Sequence, residues 1–136
     1  MFKLSKKADY ALIIITYLAN HKQGYVSVRQ ISDNTHIPYK FASQIATDLK
    51  KSQLITSKEG IGGGYKLAQS PEKITLKLVT ESVEGPITPV SCLKGSDCAC
   101  QRSCYHQDAI TQLGDSLGKL MEEHSIASLL KTKSHA

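Results

Sequence analysis

Residues Pro38–Ala68 read "PYKFASQIATDLKKSQLITSKEGIGGGYKLA". A helical period gives way here to short extended runs. Phe41, Ile45 and Leu49 recur every four residues with Ala42 and Ala46 beside them, which predicts one buried helical stripe. Pro38 stands at or near the first helical position, where its missing N–H costs nothing. The other face carries Tyr39, Lys40, Ser43, Gln44, Thr47, Lys50 and Lys51. Leu54–Lys58 and Tyr65–Ala68 then read as two short strands joined by a glycine-rich turn. Gly60, Gly62, Gly63 and Gly64 permit a close approach of this backbone to another surface. The turn is no phosphate loop, since no Gly-Lys-Ser/Thr follows it.

Upstream, "VSVRQISDNTHI" (Val26–Ile37) places Ser27 three residues before Gln30, a capping-box signature. The short helix it opens turns Val28, Ile31 and Ser32 inward, and Pro38 disfavours helix at Ile37. The first segment, Ser5 to about Asn20, is a helix with Leu12, Ile15 and Ala19 on one side and Ala8, Ala11 and Leu18 adjoining. So broad an apolar face implies burial on more than one side, and "HKQGY" breaks the helix at Gly24. A helix-turn-helix followed directly by a hairpin is a winged helix-turn-helix.

Downstream, Thr75 caps a helix from Leu76 to about Glu84, with Leu76, Val79 and Val83 inward, ended by Gly85–Pro86. A longer helix runs from Gln107 to Glu123. Ile110, Leu113, Leu117, Leu120 and His124 form a heptad-like seam on it, which Met121 widens. A winged unit leaves that helix little of its own chain to cover it, so a homodimer is expected. Ser125 caps a last short turn with Ile126, Leu129 and Leu130 inward. The expected fold is mainly α with a small β wing. It divides into a winged helix-turn-helix domain (1–85), a cysteine-rich loop (86–106), a dimerisation helix with its cap (107–131) and a tail without fixed structure (132–136).

The net charge of +5 is unevenly spread. Residues 1–70 carry nine Lys and one Arg against three Asp and one Glu, whereas 71–136 carry seven basic and eight acidic residues. A basic first half attracts polyanions, and nucleic acid is the commonest. The opening residues lack the pattern of a secretory signal, and the apolar run Tyr10–Ala19 is too short to span a bilayer, so a cytoplasmic protein away from the membrane is expected. In that compartment clustered thiols point to metal or redox chemistry.

All four cysteines, Cys92, Cys98, Cys100 and Cys104, fall within "CLKGSDCACQRSC". The segment has no Cys-x-x-Cys and matches neither a zinc ribbon nor a ferredoxin spacing. Zinc, an iron–sulfur cluster and a disulfide switch all stay open on spacing alone. No nucleotide loop and no catalytic acid–base pair stands out, so an enzyme acting on a small-molecule substrate is not expected.

With these motifs together, the chain resembles the winged-helix iron–sulfur regulators, the family of the cluster-assembly regulator IscR and the nitric-oxide-sensing repressor NsrR. The resemblance covers about Met1 to Leu130. It rests on "KLSKKADYAL", "HIPYKFASQIATDLKKSQLI", "GIGGGYKLA", "VEGPI" and the evenly spaced Cys92, Cys98 and Cys104. The opening and "VEGPI" look closest to regulators of the Suf cluster-assembly system. The resemblance implies a dimeric, cluster-dependent repressor of cluster-assembly genes. It implies a third helix in the major groove of promoter DNA and a wing near the minor groove. It also implies a 2Fe–2S or 4Fe–4S cluster held by Cys92, Cys98 and Cys104 and readily lost to leave apo protein. The fourth ligand stays open among His106, Asp9 of a partner subunit, Cys100 and Asp108. One family member uses a His three residues after the last cysteine, where this chain has Gln107. Ser43 stands where some cluster-assembly regulators carry an acid, which implies a different site preference.

On this reading Lys40, Lys50 and Lys51 hold phosphates, and Tyr39, Ser43 and Gln44 read bases, Gln44 being suited to adenine. Ser27, Arg29, Thr47, Lys58, Gly62, Gly63 and Tyr65 complete the expected DNA surface. A nitric-oxide- or redox-sensing repressor of the same family, and a zinc- or disulfide-switched winged-helix regulator, are the alternatives.

Overall fold

The computed structural model describes residues 3–89 and 104–133. Helices α1 (Lys6–Asn20), α2 (Val28–Thr35) and α3 (Tyr39–Lys51) precede a hairpin of β1 (Ile55–Lys58) and β2 (Gly64–Leu67). Helices α4 (Leu76–Glu84), α5 (Gln107–Glu123) and α6 (Ile126–Lys133) follow.

Local signals set the boundaries. The Ser5 hydroxyl accepts from the Ala8 N–H at 3.1 Å to cap α1, and also donates to a Glu84 carboxylate oxygen, tying α1 to the end of α4. Ser27 and Gln30 form the reciprocal capping box expected for α2, an arrangement worth about 1 kcal/mol. His36 closes α2 in the left-handed region at φ 60°. Thr75 caps α4 and Gly85 ends it, as expected.

α1 runs through the middle of the domain. Ala8, Ala11, Ile14, Ile15, Leu18 and Ala19 are all buried, on more than one side of the helix. Ile31 of α2, Ile45 and Leu49 of α3, Val79 of α4 and Ile126 of α6 join them in one core.

Two expectations need correction. Phe41 is not part of the buried stripe of α3. It is 54% exposed, and the stripe is Ala42, Ile45, Ala46 and Leu49. A four-residue spacing drifts by about 40° per step on a 3.6-residue helix, so the first member of the run slides onto the flank. There its ring meets Tyr10 of α1, with centroids 6.4 Å apart. The C-terminal helix also continues through Lys133, beyond the point where loss of structure was expected. The Thr132 hydroxyl donates back to the Leu129 carbonyl at 2.7 Å within that helix.

The hairpin is antiparallel, with Ile55 opposite Leu67 and Lys58 opposite Gly64. β1 begins one residue later than the sequence reading, β2 lies one residue earlier, and Leu54, outside β1, is still buried. The hairpin does not float. Val26 N–H donates to Tyr65 O at 2.8 Å and Tyr65 N–H donates to Val26 O at 2.7 Å.

The chain returns at its C-terminal end to the start of α4. Ile126 N–H donates to Ile74 O, and Leu76 N–H donates to His124 O, both at 2.8 Å. Thus α5 is anchored at one end beside α4, and Ile126, Leu129 and Leu130 pack inward as expected.

Candidate nucleic-acid interface and cysteine site

Opposite the buried stripe of α3, Lys40, Gln44, Thr47 and Lys51 are exposed and Ser43 is half-buried. Thr47 donates its hydroxyl proton to the Ser43 backbone carbonyl at 3.0 Å. Tyr39 stands exposed at the start of the helix and Lys50 at its end. The sole acid of α3, Asp48, is paired with Lys7 at 3.0 Å. Lys40, Lys50 and Lys51 are therefore left without an acid on their own helix, and the face is net positive.

The wing carries a second basic cluster. The Lys66 and Lys58 ammonium groups sit 4.8 Å and 5.9 Å from the centroid of the Tyr25 ring. The aromatic face holds both cations on one side of the hairpin. Lys58 and Arg29 are exposed. Gly62 lies in the exposed tip. Gly63 belongs to the turn itself, since a Cβ there would lie 2.2 Å from the Lys58 carbonyl oxygen. Ser27 and Tyr65 have structural employment: Ser27 caps α2, and the Tyr65 ring packs partly on the core while its backbone pairs with Val26.

Sequence reasoning missed Tyr25 and Ile61. The signal for Tyr25 was present in its place beside Val26, the residue that pairs with β2. Ile61 was hidden by the glycines around it.

Of the thiols, Cys104 is unpaired and partly exposed, and its Sγ lies 3.8 Å from His106 Nδ1. Cys92, Cys98 and Cys100 lie outside the described residues. His106 is the residue just before α5, and Asp108 is exposed in its first turn. Asp9 is exposed on α1 and has no ion pair among the described residues. Lys6 instead lies 5.1 Å over the Tyr10 ring. Among the described residues, no three His, Cys, Asp or Glu side chains converge as a metal site. Asp9, Cys104, His106 and Asp108 are therefore not gathered into one group within a single chain.

The face of α5 turned to its own chain is built of small residues. Gly114 meets the Pro89 ring, Gly118 faces the Lys77 side chain, and Met121 is buried. Leu113 and Leu120, both from the expected seam, are 46% and 53% exposed.

No helix among the described residues is long and apolar enough to cross a membrane. Residues 4–132 match the Rrf2 family, described as an iron-dependent transcriptional regulator. The chain is 31% identical to the HTH-type transcriptional regulator CymR of Bacillus subtilis, over 84% of each protein. It is 26% identical to the HTH-type transcriptional regulator IscR of Aliivibrio salmonicida, over 94% of this chain and 77% of that one. The solved structure of CymR, the global cysteine regulator of B. subtilis, superposes with a TM-score of 0.76, covering 97% of this chain and 98% of that one at 26% identity. A family of transcription regulators, rather than of enzymes, thus accounts for a basic helix-turn-helix with a clamped wing, and the chain belongs to the Rrf2 family of DNA-binding, winged-helix transcription regulators.

Proposed function

We propose that this regulator is a homodimeric, cytoplasmic, iron–sulfur-cluster-dependent repressor of genes for cluster assembly, with the Suf-type system as its target. The observation that carries the reading is the free, partly exposed Cys104 thiol beside His106 Nδ1, at the end of a segment holding every cysteine of the chain. An unpaired thiol next to an imidazole fits a soft metal or an iron–sulfur cluster. Cys92, Cys98 and Cys104 would hold the cluster. His106 is the leading candidate for the fourth position, with Asp9 of a partner subunit, Cys100 and Asp108 as the others. When bound, the cluster supplies a one-electron, oxygen-sensitive redox centre.

This chain's own residues do the rest. The cysteine segment enters directly into α5, and α5 is hydrogen-bonded at its far end to the start of α4. Cluster binding at Cys104 would therefore be felt at the seam of Leu113, Leu117 and Leu120, where a second copy would dock. A dimer reads two half-sites at a spacing set by that seam, so a change there alters DNA affinity without a change in either winged unit. On the DNA face, Lys40, Lys50 and Lys51 take phosphates, and Tyr39, Ser43 and Gln44 face base edges in the major groove. Arg29, Lys58 and the wing backbone at Gly62 and Gly63 follow the adjoining strand.

The test is the visible spectrum together with iron, sulfide and zinc content of protein purified without oxygen, for wild type and Cys98→Ser. Iron and sulfide in matching amounts, lost in the variant, are expected. A colourless protein with one zinc per chain that refuses reconstitution sinks the cluster. The second reading is a regulator whose cysteines act as a redox or zinc switch. It is favoured by the identity with CymR, itself a global cysteine regulator.

A further inference from the structure

Ile61 is the most solvent-exposed large apolar side chain among the described residues, at 105% of the reference area. Nothing about folding requires it. It contributes no packing, and the turn is built by its neighbours. Gly60 and Gly62 take the positive φ values, 92° and 75°, and Gly63 N–H closes the turn on Gly60 O at 3.0 Å. The hairpin that carries Ile61 is held firmly. Two backbone hydrogen bonds clamp its base to Val26, and Gly64 lies so close that a Cβ would sit 2.3 Å from the Val26 carbonyl oxygen. The cations of the wing are Lys58 and Lys66, gathered over Tyr25. Glu59, exposed next to Lys58, offsets its charge, so the tip brings no net charge of its own.

From this geometry we infer that Ile61 is an apolar wedge, placed by the rigid wing against the sugar walls and base edges of the minor groove flanking the sequence read by α3. The inference rests on the DNA-binding role of the chain and names a determinant of its specificity. An aliphatic side chain has no hydrogen bond to offer a phosphate, but it can displace water from the groove and lean on a base step. Steps that open easily admit it at lower cost, so Ile61 gives a preference for deformable A·T-rich flanks at positions that no polar group reads. Lys66 supplies the accompanying phosphate contact.

The experiment is to select a duplex from a randomised pool with the wild-type protein. Affinity is then measured against salt for wild type, Ile61→Ala, Ile61→Leu and Lys66→Ala, on that duplex and on one with G·C pairs in the flank. Because Ile61 packs on nothing, its variants should melt like wild type. Ile61→Ala is expected to bind about tenfold more weakly with an unchanged salt slope and to lose the flank preference, while Ile61→Leu keeps most of both. Lys66→Ala is expected to lower the slope by about one and keep the preference. Unchanged affinity and flank preference in Ile61→Ala overturn the wedge and leave the DNA-binding role standing. Normal DNA binding with lost control of transcription overturns it in favour of a protein partner at the tip. Failure of the wild type to select any duplex strikes the DNA-binding role itself.

Discussion

α3 and α5 are amphipathic helices of thirteen and seventeen residues that solve the same problem in opposite ways. α3 turns Ile45 and Leu49 into the core and shows lysines to solvent. α5 turns Gly114, Gly118 and Met121 toward its own chain and leaves Leu113 and Leu120 in water. The small residues let α5 lie close against Pro89 and Lys77, so its branched side chains are not needed there. They are left for another surface. An apolar stripe thus means self-burial in one helix and exposed leucines in the other. The proposed dimer follows from that contrast, because two copies pairing through the stripe bury what one copy cannot.

The sharpest way to break this comparison is to truncate one leucine of each kind. Leu49→Ala should lower the free energy of unfolding by about 3 kcal/mol in a urea titration. Leu113→Ala, measured where the chain is monomeric, should stay within about 0.5 kcal/mol of wild type. Equal losses would mean that α5 is as self-buried as α3. Next in size is Leu113→Glu combined with Leu120→Glu. Sedimentation should show dimer dissociation raised by about a hundredfold, since a charge must be buried at each contact. Association at the wild-type level would remove this face from the interface.

A third substitution sharpens the comparison between scaffold and contact surface. Gly64→Ala forces a Cβ against the Val26 carbonyl at a residue with φ 140°. It should cost about 2 kcal/mol of stability and most of the DNA affinity, because the wing loses its clamp. A Gly64→Ala protein that melts and binds like wild type would show that the wing needs no anchor. The smallest effect is expected at Lys51→Ala. Stability should be unchanged, while the slope of log affinity against log salt falls by about one. No change in slope would move the phosphate contacts off the outer face of α3.

Much of this architecture can be read from neighbouring residues alone. Caps are contacts across three residues, so Ser27 with Gln30, and Thr75 before Leu76, marked the starts of α2 and α4 correctly. The winged fold and the seam on α5 also follow from short-range periodicity, as does the basic character of α3. The pairing of Asp48 with Lys7 does not, and neither does the exposure of Phe41. Both depend on how α1 lies across α3, through contacts between residues 41 and 31 positions apart.

Local sequence therefore determined which segments are helix or strand, their ends to within two residues, and the main apolar or charged character of each, because those properties arise within one or two turns of chain. Tertiary structure decided which apolar faces are satisfied. It seats Tyr25 beneath two lysines, forces glycine at position 64 through the approach of Val26, and turns the glycines of α5 inward so that Leu113 and Leu120 face out. Each of these is a contact between residues far apart in the chain, and close packing rather than local propensity selects among the alternatives.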